Sequence, residues 1–257
     1  MASTTLVREF IWRICTTLND SAPQYVTWLE SELVMAINDG QVAICKFVPT
    51  ACMRIDSIQL KPSTFQSIAL IPSVSCKPAD GSTPPATVRG RQIAEVECNM
   101  TSNGTVEDRA IRLVSRSDLD LSDPDWRKAT GALVECYCID ADANDTFQVT
   151  PKPTDLSQWV RIRYAALPTN VPAGNDTTPV YAFGGTSTAL LAIDDANVDD
   201  LFWYVLARAN LKDTSVAKPA QVVQAAQMFA ASINQQVQAE TGINPGLKGL
   251  PDVAGGG

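Results

Sequence analysis

The sequence predicts an α+β protein. A discontinuous helical bundle, two helices from each end of the chain, carries an inserted antiparallel β domain and an extended C-terminal tail. Three observations lead there. Apolar residues recur every three to four positions near both ends, they alternate with polar residues through the middle, and stretches rich in Pro and Gly punctuate the change.

From about residue 4 to 20, Leu6, Phe10, Ile14 and Leu18 fall on one helical face, and Asn19, Ser21 and Pro23 close the segment. A second helix opens at Thr27, with Glu30 three positions on as in a capping box. Leu29, Leu33, Ile37, Gly40 and Ile44 share its face, Ala36 and Phe47 widen it, and Pro49 stops it. Glycine costs a helix about 1 kcal/mol relative to alanine, so Gly40 within the stripe marks a close helix crossing.

After Pro49 the period changes to two. Residues 54–60 and 65–71 read as a hairpin joined through Lys61–Thr64. Residues 73–90 read as a long surface loop, and strands follow at 91–100, 109–115, 132–140, 145–150 and 158–166. Ser122-Asp123-Pro124-Asp125-Trp126 has the signature of a short helix start. A second long loop covers 168–188. Asp194 and Asp195 then open a helix on Val198, Leu201, Phe202, Val205 and Ala209. The last helix begins near Pro219, is striped by Val222, Ala226, Phe229, Ile233 and Val237, and ends at Gly242. Because none of these helices buries its stripe alone, the two pairs pack together. The expected division is a bundle of residues 1–50 and 190–241, a β domain of 51–189, and a tail of 242–257.

Composition removes whole classes of function. The chain has 257 residues and is 45% hydrophobic and 19% charged, which suits a globular fold. Twenty basic against 28 acidic residues leave a net charge of −8, unsuited to wrapping nucleic acid through its phosphates. The chain has no histidine, and so lacks the commonest general base and the usual zinc ligand. No apolar run reaches the roughly 18 residues of a membrane span, and Arg8, Glu9 and Arg13 interrupt any signal-peptide core. Cysteines 15, 45, 52, 76, 98, 136 and 138 read as dispersed small apolar residues in a reducing cytosol. The Asn-x-Ser/Thr triplets at Asn99, Asn103, Asn144 and Asn175 then read as turn chemistry rather than glycan sites.

The remaining chemical candidates are weak. Asp140, Asp142 and Asn144 have the spacing that opens a calcium loop, but Asp145 and Pro151 stand where the loop needs Gly and Glu. An acidic hairpin turn is the better reading. Cys136 and Cys138 share a strand face with Ala132 and Val134, and no second cysteine pair completes a zinc site. Gly104 and the pair Gly184-Gly185 open no phosphate-binding helix. Arg161 and Arg163, with Arg89 and Arg91, suit ion pairs to a loop or a neighbouring subunit better than phosphate contacts. The densest acidic cluster is Asp194–Asp195 with Asp199–Asp200, and helix capping explains half of it. No catalytic residue, metal site or cofactor is assigned.

Four segments, in order, carry a resemblance. WLESELVMAINDGQVAI (28–44) contains Trp28, Asn38, Asp39 and Gly40. AIRLVSRSDLDLSDPDWRKAT (110–130) contains Arg112, Asp118, Leu119, Asp123, Pro124, Asp125 and Trp126. YCIDADANDTFQVTPKP (137–153) contains Phe147, Val149, Pro151 and Pro153. LLAIDDANVDDLFWYVLARANLKD (190–213) contains Asp194, Tyr204 and Arg208. Together they resemble the head-to-tail adaptor (connector) proteins of short-tailed bacteriophages, of the tail tubular protein A kind. The resemblance covers about residues 6–240; the loops 73–90 and 168–188 and the glycine-rich tail depart from it.

It implies a structural protein without enzyme activity or cofactor. Twelve copies would form a ring in the neck of the virion, between portal and tail nozzle, assembled in the host cytoplasm. Double-stranded DNA would pass through unbound during genome ejection, since a negative lumen repels phosphate. The tail, with Leu247, Lys248, Leu250, Pro251 and Val253, would dock on the portal, and no membrane is involved. Two other expectations stay open: a different virion component, such as a nozzle or fibre-attachment protein, and, more remotely, an enzyme using the acids between Asp194 and Asp200.

Overall fold

The computed structural model describes residues 3–19, 28–139, 143–172, 180–181, 187–212 and 219–243. Its helices are α1 (Val7–Thr17), α2 (Glu30–Phe47), α3 (Arg116–Ser122), α4 (Val198–Lys212) and α5 (Pro219–Ile243). The strands are β1 (Met53–Gln59), β2 (Phe65–Ser67), β3 (Ile71–Pro72), β4 (Cys76–Pro78), β5 (Thr87–Val88), β6 (Gly90–Met100) and β7 (Glu107–Ala110). They continue with β8 (Arg112–Leu113), β9 (Thr130–Gly131), β10 (Cys136–Ile139), β11 (Thr146–Thr150), β12 (Lys152–Pro153) and β13 (Trp159–Ala166). Mixed α and β structure is as the sequence predicts. The chain divides into two compact units, Met1–Cys52 with Pro168–Gly257, and Met53–Leu167. Among the described residues no helix is long and apolar enough to cross a membrane.

The first unit holds α1, α2, α4 and α5. Phe10, Ile11, Ile14 and Cys15 of α1 and Leu33, Val34, Ile37 and Ile44 of α2 are buried, as are Leu201, Val205 and Ala209 of α4. The face of α5 is the one read in the sequence except at Ala226, which is exposed: Ile233 is buried, Val222, Phe229 and Val237 are half-buried, and Ala225 is buried beside them. The opening of α2 also differs. Thr27 lies outside the described residues, the helix starts at Glu30, and it is the Glu32 carboxylate that accepts the Leu29 amide at 3.2 Å. Residues 168–189, read as part of the β region, fall in this unit instead. Among their described residues, Val171 is bonded to Asn38 of α2, and Val180 and Tyr181 are bonded to Glu30.

The second unit is a sandwich. One sheet has five strands in the order β4-β1-β13-β6-β7, the other four in the order β2-β11-β10-β8. Ile58, Ile93, Val96, Val160, Ile162 and Tyr164 from the first share a core with Tyr137, Phe147 and Val149 from the second. The proposed hairpin of 54–60 with 65–71 does not form. β1 pairs with β13 and β4, whereas β2 pairs with β11. Ile58 and Ile68 cover one core from opposite sheets, which two strands of a flat hairpin cannot do. The crossing between sheets is held by buried Gln66, whose side chain accepts the Lys61 amide and donates to the Lys61 carbonyl, both at 2.9 Å.

Three further readings are corrected. The stretch 73–90 contains β4 and β5, because Cys76 and Val88 reach the core. The strand expected at 109–115 is broken into β7 and β8 around buried Ile111. The helix near Trp126 precedes Pro124 rather than following it: Ser115 caps α3 by accepting the Asp118 amide at 3.1 Å. Asp123 ends it in an extended conformation, as steric crowding by the following proline demands.

Candidate functional site

Residues that carry the family resemblance, Trp28, Asp39, Gly40, Tyr204 and Arg208 in one unit and Trp126 with Asp125, Pro151 and Pro153 in the other, lie at or near two joints. In the first unit the joint is the crossing of α2 and α4. A Cβ on Gly40 would stand 2.5 Å from Leu201 Cδ1 and 2.7 Å from Tyr204 Cδ1. The Trp28 indole donates to the Ala209 carbonyl at 3.0 Å. Arg208 pairs with Asp39 at 3.3 Å, and Lys212 with Glu32, along the exposed rim. Tyr204 meets Phe229 of α5 edge to face, with ring centroids 5.3 Å apart.

The polar residues of α2 clamp the chain that returns to this joint. Asn38 donates to the Val171 carbonyl at 3.1 Å and accepts its amide at 2.8 Å. Glu30, fully buried, accepts the amides of Val180 and Tyr181, each at 2.9 Å. Gln41 accepts the Ala192 amide at 2.6 Å. Sequence reading missed these roles, although a Glu and a Gln on the apolar side of an amphipathic helix was a usable signal, since buried polar groups require partners.

In the second unit the joint is Trp126. It is buried between Leu119 and Cys138, and its indole donates to Asp120 at 2.8 Å. The Arg127 guanidinium lies 4.4 Å from the ring centroid and pairs with Asp120 at 2.8 Å. Those two bonds, from Trp126 first and Arg127 second, hold the Asp120 carboxyl below its ordinary range. Asp125, beyond Pro124, pairs with Lys128 at 2.7 Å. Pro151 lies so close to Gly131 that a Cβ there would stand 3.0 Å from it, and Pro153 pairs with Gly131 in the β9–β12 ribbon.

The remaining candidates resolve into structural bonds. Asp194 caps its helix by accepting the Ala196 amide at 3.1 Å. Asp195 gathers the hydroxyls of Ser3, Thr4 and Thr5, and these bonds hold its carboxyl far below the usual range. Asp199 pairs with Arg13 at 2.7 Å, and buried Asp200 accepts from Gln236 at 2.7 Å.

Arg161 pairs with Glu107 and Arg163 with Glu97, both within their own unit. The cysteines are all free and buried, and Cys138 packs on Trp126. Among the described residues no three carboxylates or thiols converge where a metal ion could sit. Asp140 and Asp142 lie outside the described residues, but β10 and β11 do form the hairpin expected around them. Asn103 is turn chemistry, its side chain accepting from Thr101 and Thr105. Asn99 is not. It is buried in β6 and ties Val134 by both its amide groups. Leu247, Lys248, Leu250, Pro251 and Val253 lie outside the described residues.

A buried network in the second unit had no sequence signature. Asp56 accepts from the Tyr164 hydroxyl at 2.5 Å and from Arg54 at 3.1 Å. Burial, and then Asp56, push the Tyr164 hydroxyl far above the usual phenol value and Cys76 up to about 12.

A family model described as SU10 adaptor protein matches residues 5–246. The chain belongs to the SU10 adaptor protein family. No curated protein matches it. The match takes in all four segments of the resemblance, and with them both joints of the adaptor. It places the chain among structural proteins of bacteriophages, components of the virion that associate with other head and tail parts.

Proposed function

We propose that this adaptor is one copy of a ring, of twelve by its resemblance, between the portal and the tail nozzle of a short-tailed phage. In that reading α1, α2, α4 and α5 form the helical bundle and the β sandwich is its insertion. The ring would be part of the conduit for DNA ejection, with the tail segment 242–257 on the portal. The family match over residues 5–246 carries this reading. The net charge of −8 supports it, because a conduit must let DNA slide without adhering.

The test is the native mass of the purified full chain, alone and mixed with the portal ring of the same genome. A fixed multiple on the portal is expected, and loss of that complex on deleting 242–257. A chain that ignores the portal would overturn the reading in favour of a nozzle or fibre-attachment component.

A further inference from the structure

Residues 106–125 form a strip along one edge of both sheets of the second unit. β7 is the last strand of the five-stranded sheet and β8 the last of the four-stranded sheet, so consecutive chain runs along both free edges and into α3. Its first half carries Arg109, Arg112 and Arg116, preceded by two exposed acids, Glu107, which pairs with Arg161, and Asp108. All three arginines are exposed, and none has an ion pair or side-chain hydrogen bond among the described residues. Its second half carries Asp118, Asp120, Asp123 and Asp125. Asp120 and Asp125 are paired with Arg127 and Lys128, with Arg116 also acting electrostatically on Asp120, whereas Asp118 and Asp123 are exposed with no ion pair among the described residues.

Charges on a free edge commonly guard it against pairing with other chains. That account fails for the leucines. Leu113 is 63% exposed in the arginine half and Leu121 83% exposed in the aspartate half. Guarding charges do not call for an apolar side chain in each half; single exposed leucines are ordinary on a surface, and one beside each set of charges gives the apolar anchor and polar surround of an interface.

We infer that this strip joins one copy of the adaptor to the next, the half with Arg109, Arg112, Arg116 and Leu113 docking on the half with Asp118, Asp123 and Leu121 of a second copy. Charge complementarity selects the occupant. With Glu107 paired to Arg161, the first half has three arginines against Asp108 and the second has Asp118 and Asp123, so the strip fits itself head to tail and leaves both halves to repeat the contact. A heterologous contact of this kind closes into a ring when its rotation divides the circle. In a chain of net charge −8, such a patch also overcomes the repulsion between copies. The inference rests on the ring reading above and names its surface.

The experiment uses two full-length variants. One carries Arg109→Glu, Arg112→Glu and Arg116→Glu; the other carries Asp118→Arg and Asp123→Arg. Native mass is measured for each alone and for their equimolar mixture, free and on the portal ring, at 50 mM and 500 mM salt. Each variant alone should associate at least tenfold more weakly than the wild type at low salt, and the gap should narrow at high salt. The mixture should restore assembly, because its unlike copies match when they alternate; misfolded variants would not recover this way. Assembly of either variant alone at wild-type strength, or a mixture that stays dissociated, overturns the inference and leaves the ring intact. A wild-type chain that never multimerises, even on the portal, removes both.

Discussion

Gly40 of α2 faces Tyr204 of α4 so closely that a Cβ on the glycine would stand 2.7 Å from the tyrosine ring, with Leu201 nearer still at 2.5 Å. A helix from the start of the chain and one from near its end therefore meet where only hydrogen fits. Gly40→Ala gains about 1 kcal/mol of helix propensity, but must displace the fully buried Leu201. Overpacking of this kind costs about 1–3 kcal/mol. The expected net result is a lower melting temperature, with Gly40→Val worse than Gly40→Ala, read by thermal unfolding.

Trp126 is only 2% exposed and holds α3 against β10 through Leu119 and Cys138. Trp126→Ala should cost about 3–5 kcal/mol in denaturant unfolding. Trp126→Phe keeps most of the packing and loses the bond to Asp120, so about 1 kcal/mol is expected. Equal losses for the two variants would mean that the hydrogen bond, rather than the ring, fixes the joint.

Asp56 and Tyr164 tie β1 to β13 inside the sandwich. Asp56→Ala strands the partly buried Arg54 and the Tyr164 hydroxyl, at about 3–5 kcal/mol. Tyr164→Phe removes one donor, at about 1–3 kcal/mol. A double-mutant cycle should return a coupling of about 0.5–3 kcal/mol; strict additivity would show that the two groups act independently.

Asp195 supplies a pH dependence. Its folded pKa is depressed by the hydroxyls of Ser3 and Thr4, so the stabilisation is present above the ordinary carboxylate range and is lost as pH falls through it toward the lower folded value. The melting-temperature gap between wild type and Asp195→Ala should be constant from pH 7 to about 5 and shrink below about 4. Faster proteolysis at the N-terminus of the variant at neutral pH should accompany it, because residues 3–5 lose their anchor.

The seven cysteines should be inert in the folded protein. All are buried away from reagent, and burial with the neighbouring Asp56 raises the Cys76 thiol to about 12, so Cys76 holds almost no thiolate at pH 8. Alkylation monitored by mass should be slow in buffer and reach seven additions in denaturant. Fast modification of any one site under native conditions would locate a local opening.

The helical ends, the strand-rich middle and the buried cysteines could all be read before any coordinates. Each depends on periodicity within a dozen residues, and Phe10, Ile14, Leu33, Ile37 and Leu201 carry that signal wherever the chain goes. Partners could not be read. β1 leaves Lys61–Thr64 for a strand a hundred residues away, because Ile58 and Ile68 must meet from opposite sheets. Glu30 reads as a capping residue, yet it is drawn inside to hold the amides of Val180 and Tyr181. Asn99 reads as a turn and is a buried tie to Val134. In the last two cases a buried donor or acceptor had to be satisfied by a group far along the chain. Local pattern determined which face of each element turns inward, and only the tertiary structure decided what meets it there.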